Sequence, residues 1–586
     1  MAFKLNPLVA TLAAALALTA VSASAVTLRI GNQGDALSMD PHSLNESLQI
    51  SVVENVYETL VSRDANYKLT PLLATSWKQT SPTVWRFELR KGVKFHDGTP
   101  FTADDVIFSY ERAKGDGSDM KSYVGQFKEI KKINDHTIDI ITNAPFPIVP
   151  ELITHWAIMS KKWCEDNQAT KPVDRRKGIE NAASFRANGT GPFRVRERQP
   201  SVRTTFTRNG NYWGKIPGNV DEVIFSVIGN DATRVAAMMS GELDVMEPVP
   251  VQDVERLKAN DKLKVLQGPE LRAIFLGMDQ KRDELLFSNV KGKNPFKDIR
   301  VRKAFYQAID IETIRTRVMR GAATPLALML PPQVNGFAPD LAKRLPFDVE
   351  ASKKLLAEAG YPNGFEVKMN CPNDRYVNDA EICQAVAANL AKVGVKINLE
   401  AETKGTYFPK ILSRNTSFYM LGWTASTVDA HNVMYPILST PGDGGRGQFN
   451  LGAYSNPKVD EAAAPGTVAC RVGDESALRA IQVEVWRGRE EGLSAYDTTR
   501  VCQQLQEVSR QLWAQGVNFR FEVLGTVQIH TGLGRANNHL MQSIQATQGQ
   551  SERWLHLRVW RADGMACVEI TDNGPGMQPE VLASVS

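Results

Sequence analysis

The sequence from Phe87 to Val106 reads FELRKGVKFHDGTPFTADDV and predicts a strand, a turn and the start of a helix. Phe87 and Leu89 alternate with charged residues, a period of two that is typical of a half-buried strand. Asp97-Gly98 predicts a turn. Thr102 fits a helix N-cap, because two aspartates follow it in the first turn, where the helix dipole favours negative charge. A strand that leads into a helix is the basic unit of an α/β protein.

The same alternation of helices and strands returns later in the chain. Asp348 is the predicted cap of a helix that ends at Gly360. The next predicted helix ends at Gly394 and leads into an alternating strand over residues 395–399. We see no internal repeat, and 586 residues suffice for two or more lobes, each with its own core. The pattern therefore predicts the α/β fold class.

Several of these segments together resemble family 5 of the extracellular solute-binding proteins, the peptide, glutathione and nickel receptors of ABC importers. The stretch from Phe87 to Val106 carries most of the resemblance, together with the segment LLATSW that begins at Leu72. Further matching segments follow in the family's order: Gly189–Phe193, Arg208–Asn209, Tyr212–Gly214, Gly241–Asp244, Ile299–Ala304, Gly422–Trp423 and Tyr454–Pro457. The resemblance covers about residues 27–461.

This resemblance implies a two-lobed periplasmic binding protein of type II, in its large three-domain class. The family encloses a ligand between the lobes without catalysis, and the closed form docks on an ABC permease in the inner membrane. Ligand binding supplies the free energy that shifts the equilibrium between open and closed forms. We therefore expect a peptide-like small solute as ligand, no catalytic residue, no cofactor and a monomeric protein.

Four residues are candidate ligand contacts. Arg375 resembles the arginine that binds a dipeptide's carboxylate, although a solvated surface arginine fits the same loop. Trp423 resembles the family's pocket tryptophan, with packing in the core as the alternative. Ser426 stands where dipeptide receptors place an aspartate against the ligand's ammonium group. Because a hydroxyl cannot replace a buried counter-charge, either Asp429 reaches the ligand or the ligand lacks a free amine there.

The N-terminal residues 1–25 are typical of a cleavable signal peptide. Lys4 provides a positive charge, an apolar run from Leu8 to Ala20 follows, and Ala23-Ser24-Ala25 fits a cleavage site. We therefore expect an exported protein in the periplasm of a Gram-negative bacterium, where Cys371 and Cys383 could pair.

Composition and residue spacing argue against two other classes of partner. A net charge of +4 without a basic run argues against nucleic acid as a partner. Scattered histidines without ligand spacing indicate no metal site.

The sequence changes character after residue 461. Residues 462–492 read as a junction, and residues 493–586 resemble a truncated ATPase domain of sensor histidine kinases, a partial α/β sandwich. The motif that carries this resemblance consists of Asp572, Gly574 and Gly576, and Gln542 stands where the family holds magnesium through asparagine. Magnesium tolerates altered ligand geometry poorly, so we expect this segment to be inactive as a kinase.

The solute-binding part, residues 26–461, is expected to be incomplete at its C-terminal end. The family continues with a helix and a return segment, and none is recognisable here. Losing about 600 Å² of buried apolar surface costs about 15 kcal/mol, as much as the whole stability of many domains. The alternative to a receptor is therefore a nonfunctional hybrid of a truncated receptor and a kinase fragment, with impaired closure and binding.

Overall fold

The computed structural model describes residues 25–464 and, after them, the backbone of several short strands. We call residues 25–270 the first lobe and residues 271–464 the second lobe. Among the described residues, the helices are all too short or too polar to cross a bilayer.

The first lobe contains a five-stranded sheet, a four-stranded sheet and a two-stranded hairpin. Its strands are β1 (Val26–Asn32), β2 (Val61–Arg63), β3 (Leu69–Pro71), β4 (Ala74–Ser81), β5 (Val84–Leu89), β6 (Phe127–Asn134), β7 (Thr137–Thr142), β8 (Phe193–Gln199), β9 (Arg203–Arg208), β10 (Val220–Val227) and β11 (Val245–Glu247). The larger sheet has the order β11-β1-β10-β9-β8, and the four-stranded sheet has the order β4-β5-β7-β6.

Helices pack on these sheets and connect them. In the first lobe they are α1 (Ser47–Val53), α2 (Ala103–Lys114), α3 (Lys121–Val124), α4 (Val149–Leu152), α5 (Lys161–Asp166), α6 (Asp231–Ser240) and α7 (Val254–Lys258). In the second lobe they are α8 (Ile299–Ala308), α9 (Ile311–Thr313), α10 (Val349–Glu358), α11 (Asp379–Ala391), α12 (Lys404–Leu412), α13 (His431–Val433) and α14 (Pro457–Ala462).

The strand and the helix predicted between Phe87 and Val106 are confirmed. Strand β5 buries Phe87 and Leu89 in the core of the first lobe. Helix α2 begins with a capping box, in which Asp104 N–H donates to Thr102 Oγ1 at 3.3 Å and Thr102 N–H donates to Asp105 Oδ2 at 2.9 Å. These reciprocal bonds satisfy N–H groups that a helix start leaves unpaired. The cap therefore fixes where the helix leaves the sheet.

The second lobe is built on a mixed four-stranded sheet of order β12-β15-β13-β14. Its strands are β12 (Arg272–Met278), β13 (Glu366–Pro372), β14 (Lys396–Glu402) and β15 (Phe418–Thr424). Asp348 caps helix α10 as predicted, because its carboxylate accepts from the Ala351 N–H at 2.8 Å. Strand β15 runs to Thr424, so Trp423 lies inside this strand.

A disulfide joins the strand and the helix on either side of the Arg375 loop. Cys371 in β13 bonds to Cys383 in α11, with 6.6 Å between their Cα atoms, which confirms the predicted pairing. The loop of residues 373–378 between them therefore has both ends held.

Beyond residue 464, the described backbone consists of strands β16 (Ala469–Val472), β17 (Ile481–Glu484), β18 (Asn518–Leu524), β19 (Trp554–Ala562), β20 (Met565–Asp572) and β21 (Glu580–Leu582). Strand β18 runs parallel to β19, which is antiparallel to β20. Asp572 is the last residue of β20, while Gln542, Gly574 and Gly576 lie outside the described residues.

Candidate functional site

A cavity lies where the two lobes meet. Its volume is about 830 Å³, including its opening to solvent. Residues of the first lobe on its wall are Leu44, Asn45, Glu46, Ser47, Ile50, Ser51, Glu54, Tyr123 and His155. Residues of the second lobe are Arg375, Tyr376, Phe408, Leu412, Leu421, Gly422, Trp423, Thr424, Ser426 and Phe449. Both lobes therefore build the site, with apolar walls and a few charged groups.

Helix α1 forms one side of the cavity. Ser47, Ile50, Ser51 and Glu54 line it at intervals of three and four residues, which places them on one face of the helix. The helix begins at its N-cap, Glu46, whose carboxylate accepts from the N–H groups of the two residues that follow Ser47 in the chain. The side that the helix presents to the cavity is therefore polar and carries an acid at each end.

Glu46 also pairs with two cations of the second lobe. Its Oε1 lies 2.6 Å from Arg375 Nε, and its Oε2 accepts from Lys404 Nζ at 2.9 Å. The side chains of all three residues are buried, with exposed fractions of 2%, 8% and 1% for Glu46, Arg375 and Lys404. The contact to Nε is close but poorly directed, because that N–H makes no hydrogen bond of good geometry. We therefore treat it as an ion pair.

The charges in this cluster shift one another's pKa values. Burial alone would raise the pKa of Glu46, but the charges of Arg375 and Lys404 outweigh it and lower this pKa to about 2. Burial lowers the pKa of Lys404, and the charge of Glu46 opposes that shift. Glu46 is therefore ionised throughout the physiological range and fixes two cations at the junction of the lobes.

Arg375 belongs to a larger aromatic and cationic group. Its guanidinium lies 4.8 Å from the centre of the Tyr376 ring, and Arg272 lies 5.8 Å from the same centre. Arg272 also pairs with Glu270 at 2.7 Å, at the edge of the lobe. The Tyr376 hydroxyl accepts from the Gly422 N–H at 2.7 Å, which ties the Arg375 loop to strand β15. The loop is thus held by the sheet as well as by the disulfide.

Further contacts join the lobes around the cavity. Arg63 donates to the Thr427 carbonyl at 2.7 Å, and the Tyr123 hydroxyl lies 3.5 Å from Ser426 Oγ. The backbone of Gly125 meets the backbone of Gly444 so closely that a Cβ on Gly125 would lie 1.7 Å from the Gly444 carbonyl oxygen. The lobes are therefore in direct contact, and the cavity lies in a closed cleft.

The structure brings three of the four predicted ligand contacts to this cavity. Arg375, Trp423 and Ser426 line it. Trp423 also packs against Phe449, with ring centres 5.0 Å apart, and its Nε1 donates to the Asn432 carbonyl at 2.8 Å. The Trp423 ring therefore both lines the cavity and packs in the core of the second lobe.

Asp429 is not on the cavity wall. Its Oδ2 accepts from Asn335 Nδ2 at 3.0 Å, and its Oδ1 accepts from the His431 N–H at 2.8 Å. Burial raises the pKa of Asp429. Its carboxylate is therefore already engaged with neighbours in its own lobe.

Sequence reasoning missed the charged residues that the first lobe contributes. These are Glu46, Glu54 and His155, of which the last two are in contact, with 2.8 Å between His155 Nδ1 and Glu54 Oε1. The available local signal was the recurrence of polar residues at positions 47, 51 and 54, a spacing that places them on one face of a helix. Among the described residues, no group of three or more His, Cys, Asp or Glu side chains is arranged to hold a metal ion.

A sequence model of one protein family matches most of both lobes. Residues 68–445 match the model described as bacterial extracellular solute-binding proteins, family 5, middle part.

Curated relatives agree with this match. The chain is 28% identical over 435 residues to the glutathione-binding protein GsiB of Pectobacterium atrosepticum, covering 72% of this chain and 79% of that protein. It is also 28% identical over 459 residues to heme-binding protein A of Haemophilus influenzae, covering 72% of this chain and 77% of that protein.

Solved structures share the fold. The periplasmic binding protein DppA of Helicobacter pylori, in complex with the peptide STSA, superimposes with a TM-score of 0.66 at 22% identity, covering 83% of this chain and 90% of that one. A dipeptide-binding protein of Pseudoalteromonas sp. SM9913, in complex with Met-Leu, gives a TM-score of 0.65 at 25% identity, covering 75% and 87%. The two lobes therefore have the mixed α/β fold of periplasmic binding proteins.

Proposed function

We propose that this chain is the periplasmic receptor of an ABC importer and that it encloses a peptide-like solute between its lobes. The basis is that the chain belongs to the bacterial extracellular solute-binding proteins of family 5. Ligand contacts from both sides of the cavity hold the cleft closed, and the closed form docks on a permease in the inner membrane. The receptor works by binding alone and carries out no catalysis.

The observation that carries the proposal is the buried guanidinium of Arg375 on the cavity wall. Glu46 contacts its Nε, and the side chain makes no other hydrogen bond or ion pair to residues 25–464. A guanidinium has five N–H donors in a planar fork, so both terminal nitrogens of Arg375 remain for an anion. A carboxylate matches that fork with two parallel bonds. The solute therefore presents a carboxylate to Arg375.

The remaining walls suit the rest of a peptide. Trp423 offers an apolar ring face, and the hydroxyl of Ser426 provides a polar contact without charge. Backbone groups of strand β15 border the same space at Leu421 and Gly422. Since GsiB is named for glutathione and the DppA structure contains a four-residue peptide, a short peptide or a peptide-like thiol is the solute class that we favour.

We propose further that residues 1–25 are a cleaved signal peptide, that residues 26–461 are the solute-binding part, and that the receptor acts as a monomer in a Gram-negative periplasm. The charge pattern of the N-terminal residues supports the first point. N-terminal sequencing of the exported protein and sedimentation of the purified chain test these statements.

Calorimetric titration of the purified chain with trialanine and with reduced glutathione tests the proposed binding function. We expect binding of at least one of these probes, and a quench or enhancement of tryptophan fluorescence on binding. Arg375→Gln is expected to weaken binding by about 10- to 150-fold, the range of a hydrogen bond to a charged group. The control Arg256→Gln removes an exposed arginine of helix α7 and is expected to have no effect.

The chemical counterpart of this variant is a peptide without its terminal carboxylate. Trialanine amide is expected to bind the wild-type chain as weakly as trialanine binds Arg375→Gln. The Arg375→Gln variant is expected to bind trialanine and trialanine amide with the same affinity. Equal affinity of the wild-type chain for the acid and the amide contradicts the role of Arg375. Failure of the wild-type chain to bind any of these probes contradicts the proposed solute class.

We also propose that residues 493–586 derive from a histidine-kinase ATPase domain, joined through residues 462–492, and have lost activity. The support is the sequence motif ending in Gly576 and the strands β18, β19 and β20 that precede this glycine in the chain. Titration with a fluorescent ATP analogue tests it. Saturable binding that is lost in Asp572→Ala contradicts the loss of activity.

A further inference from the structure

Helix α1 spans the cavity between two acidic residues that have different partners. At its start, Glu46 is enclosed by Arg375 and Lys404 and all its contacts come from the protein. At its end, Oε1 of Glu54 lies 2.8 Å from His155 Nδ1 and accepts a hydrogen bond when that nitrogen carries the proton. Oε2 of Glu54 makes no hydrogen bond within residues 25–464, and the side chain, which lines the cavity, is 38% exposed. One of the two carboxylates therefore retains an acceptor for a ligand.

Among the described residues that line the cavity, Glu46 and Glu54 are the only acids. Tyr123 lies between the two ends of the helix, because its ring lies 6.3 Å from the His155 ring, whereas its hydroxyl lies 3.4 Å from Asn45 Oδ1 and 3.5 Å from Ser426 Oγ. Ser426 brings no charge to the cavity, and the nearest acid after it in sequence, Asp429, is not among the residues that line the wall. Glu54 is thus the carboxylate on the cavity wall that can still accept from an amino group.

The length of the helix measures the separation of the two ends. The eight steps from Glu46 to Glu54, at a rise of 1.5 Å each, give about 12 Å between the end near Arg375 and the end near Glu54. An extended peptide spans at most about 3.3–3.6 Å per residue. Three residues therefore reach about 10–11 Å, whereas two residues reach about 7 Å.

We infer that Glu54, from the first lobe, binds the amino group of the bound solute while Arg375 binds its carboxylate, so that the site selects solutes of three-residue length. The inference rests on the proposed function, since it concerns the same cavity. His155 is a positioning residue, because it holds one oxygen of Glu54 and directs the other to the ligand. The amine is thus held by the lobe opposite the one that holds the carboxylate, and only the closed cleft binds both charges.

The test compares dialanine, trialanine, tetraalanine and N-acetyl-trialanine by calorimetric titration of the full chain. We expect trialanine to bind at least about 10-fold more tightly than dialanine, and acetylation to weaken binding to the wild-type chain by at least about 10-fold. Glu54→Gln is expected to bind free trialanine as weakly as the wild-type chain binds the acetylated peptide, with no further loss on acetylation. Glu111→Gln, on an exposed helix face, is the matched control.

Two results overturn the inference while the proposed function survives. In one, trialanine binding depends on Arg375, but acetylation weakens binding to Glu54→Gln as much as to the wild-type chain. In the other, dialanine binds as tightly as trialanine. If the wild-type chain binds no peptide at all, the proposed function and the inference both fail. His155→Gln separates a positioning role from a structural one, because it should weaken binding of the free peptide and leave binding of the acetylated peptide unchanged.

Discussion

Replacing Glu46 by glutamine removes the negative charge that joins Arg375 and Lys404 across the cleft. All three side chains are almost completely buried, so the two cations lose their counter-charge in a place that water does not reach. Breaking a buried ion pair by removing one partner costs about 3–5 kcal/mol. Because the partners lie in different lobes, the cost falls on closing the cleft rather than on folding either lobe.

The expected result is a loss of affinity with little change in the stability of the lobes. A cost of about 3–5 kcal/mol on closure raises the dissociation constant for trialanine between about 100-fold and a few thousand-fold. Calorimetric titration measures the affinity, and thermal unfolding of the ligand-free chain checks the fold. The control Glu111→Gln removes a pair whose side chains are 54% and 44% exposed, and it should change the affinity by less than about 5-fold.

A second substitution restores the balance of charge. The double variant Glu46→Gln with Lys404→Met removes one charge of each sign and leaves Arg375 in the cluster, so it should recover at least about 10-fold of the lost affinity. The reasoning is refuted if Glu46→Gln binds trialanine within about 3-fold of the wild-type chain. It is also refuted if the double variant binds no more tightly than Glu46→Gln.

Three further outcomes are expected. Burial lowers the pKa of His431 to about 4, so the unfolded chain takes up a proton near pH 6.5 before the native state does, and native stability falls as the pH drops from 6.5 to 4. His431→Phe should reduce this loss of unfolding free energy by roughly 3 kcal/mol, measured by urea unfolding at pH 7 and pH 4.5. The same drop in stability between the two pH values in the variant and the wild-type chain contradicts this. Gly125→Ala places a Cβ against the backbone of the second lobe and should weaken solute binding roughly 10- to 100-fold. The control Gly210→Ala has open space around it and should leave the affinity unchanged. Equal affinities of the two variants in calorimetric titration contradict the closed cleft. Replacing Cys371 and Cys383 by serine should cost about 3 kcal/mol of unfolding free energy, and the same unfolding curve with and without a reducing agent contradicts that estimate.

The sequence predicted local structure well, because local structure depends on neighbouring residues. The capping box at Thr102, the cap at Asp348 and the pairing of Cys371 with Cys383 all join positions within 12 residues of one another. The family resemblance then placed Arg375 and Trp423 on the cavity. Contacts between the lobes were beyond reach, since the Glu46 and Lys404 side chains meet across 358 positions and no local period encodes such a contact.

The missed residues share a physical reason. Glu54 and His155 are 101 positions apart, and each fits an ordinary solvated surface when taken alone. Only the fold shows that both face one cavity. Asp429 illustrates the reverse case: its position after Ser426 suggested a ligand contact, yet the turn that follows strand β15 directs it to Asn335.

The wide sequence separation within the Glu46 cluster also bears on the order in which the molecule acquires its parts. The disulfide closes over 12 positions, whereas the pair between Glu46 and Lys404 closes over 358. Loop-closure entropy grows as 1.5 RT ln n, so the longer closure costs about 3 kcal/mol more. Contacts of wide sequence separation are slow to form, because the loop-closure entropy is lost before the contact is gained. The disulfide can thus tether the Arg375 loop early, whereas a refolding chain binds solute only after both lobes have folded. Recovery of solute binding should therefore be slower than recovery of the secondary structure of either lobe.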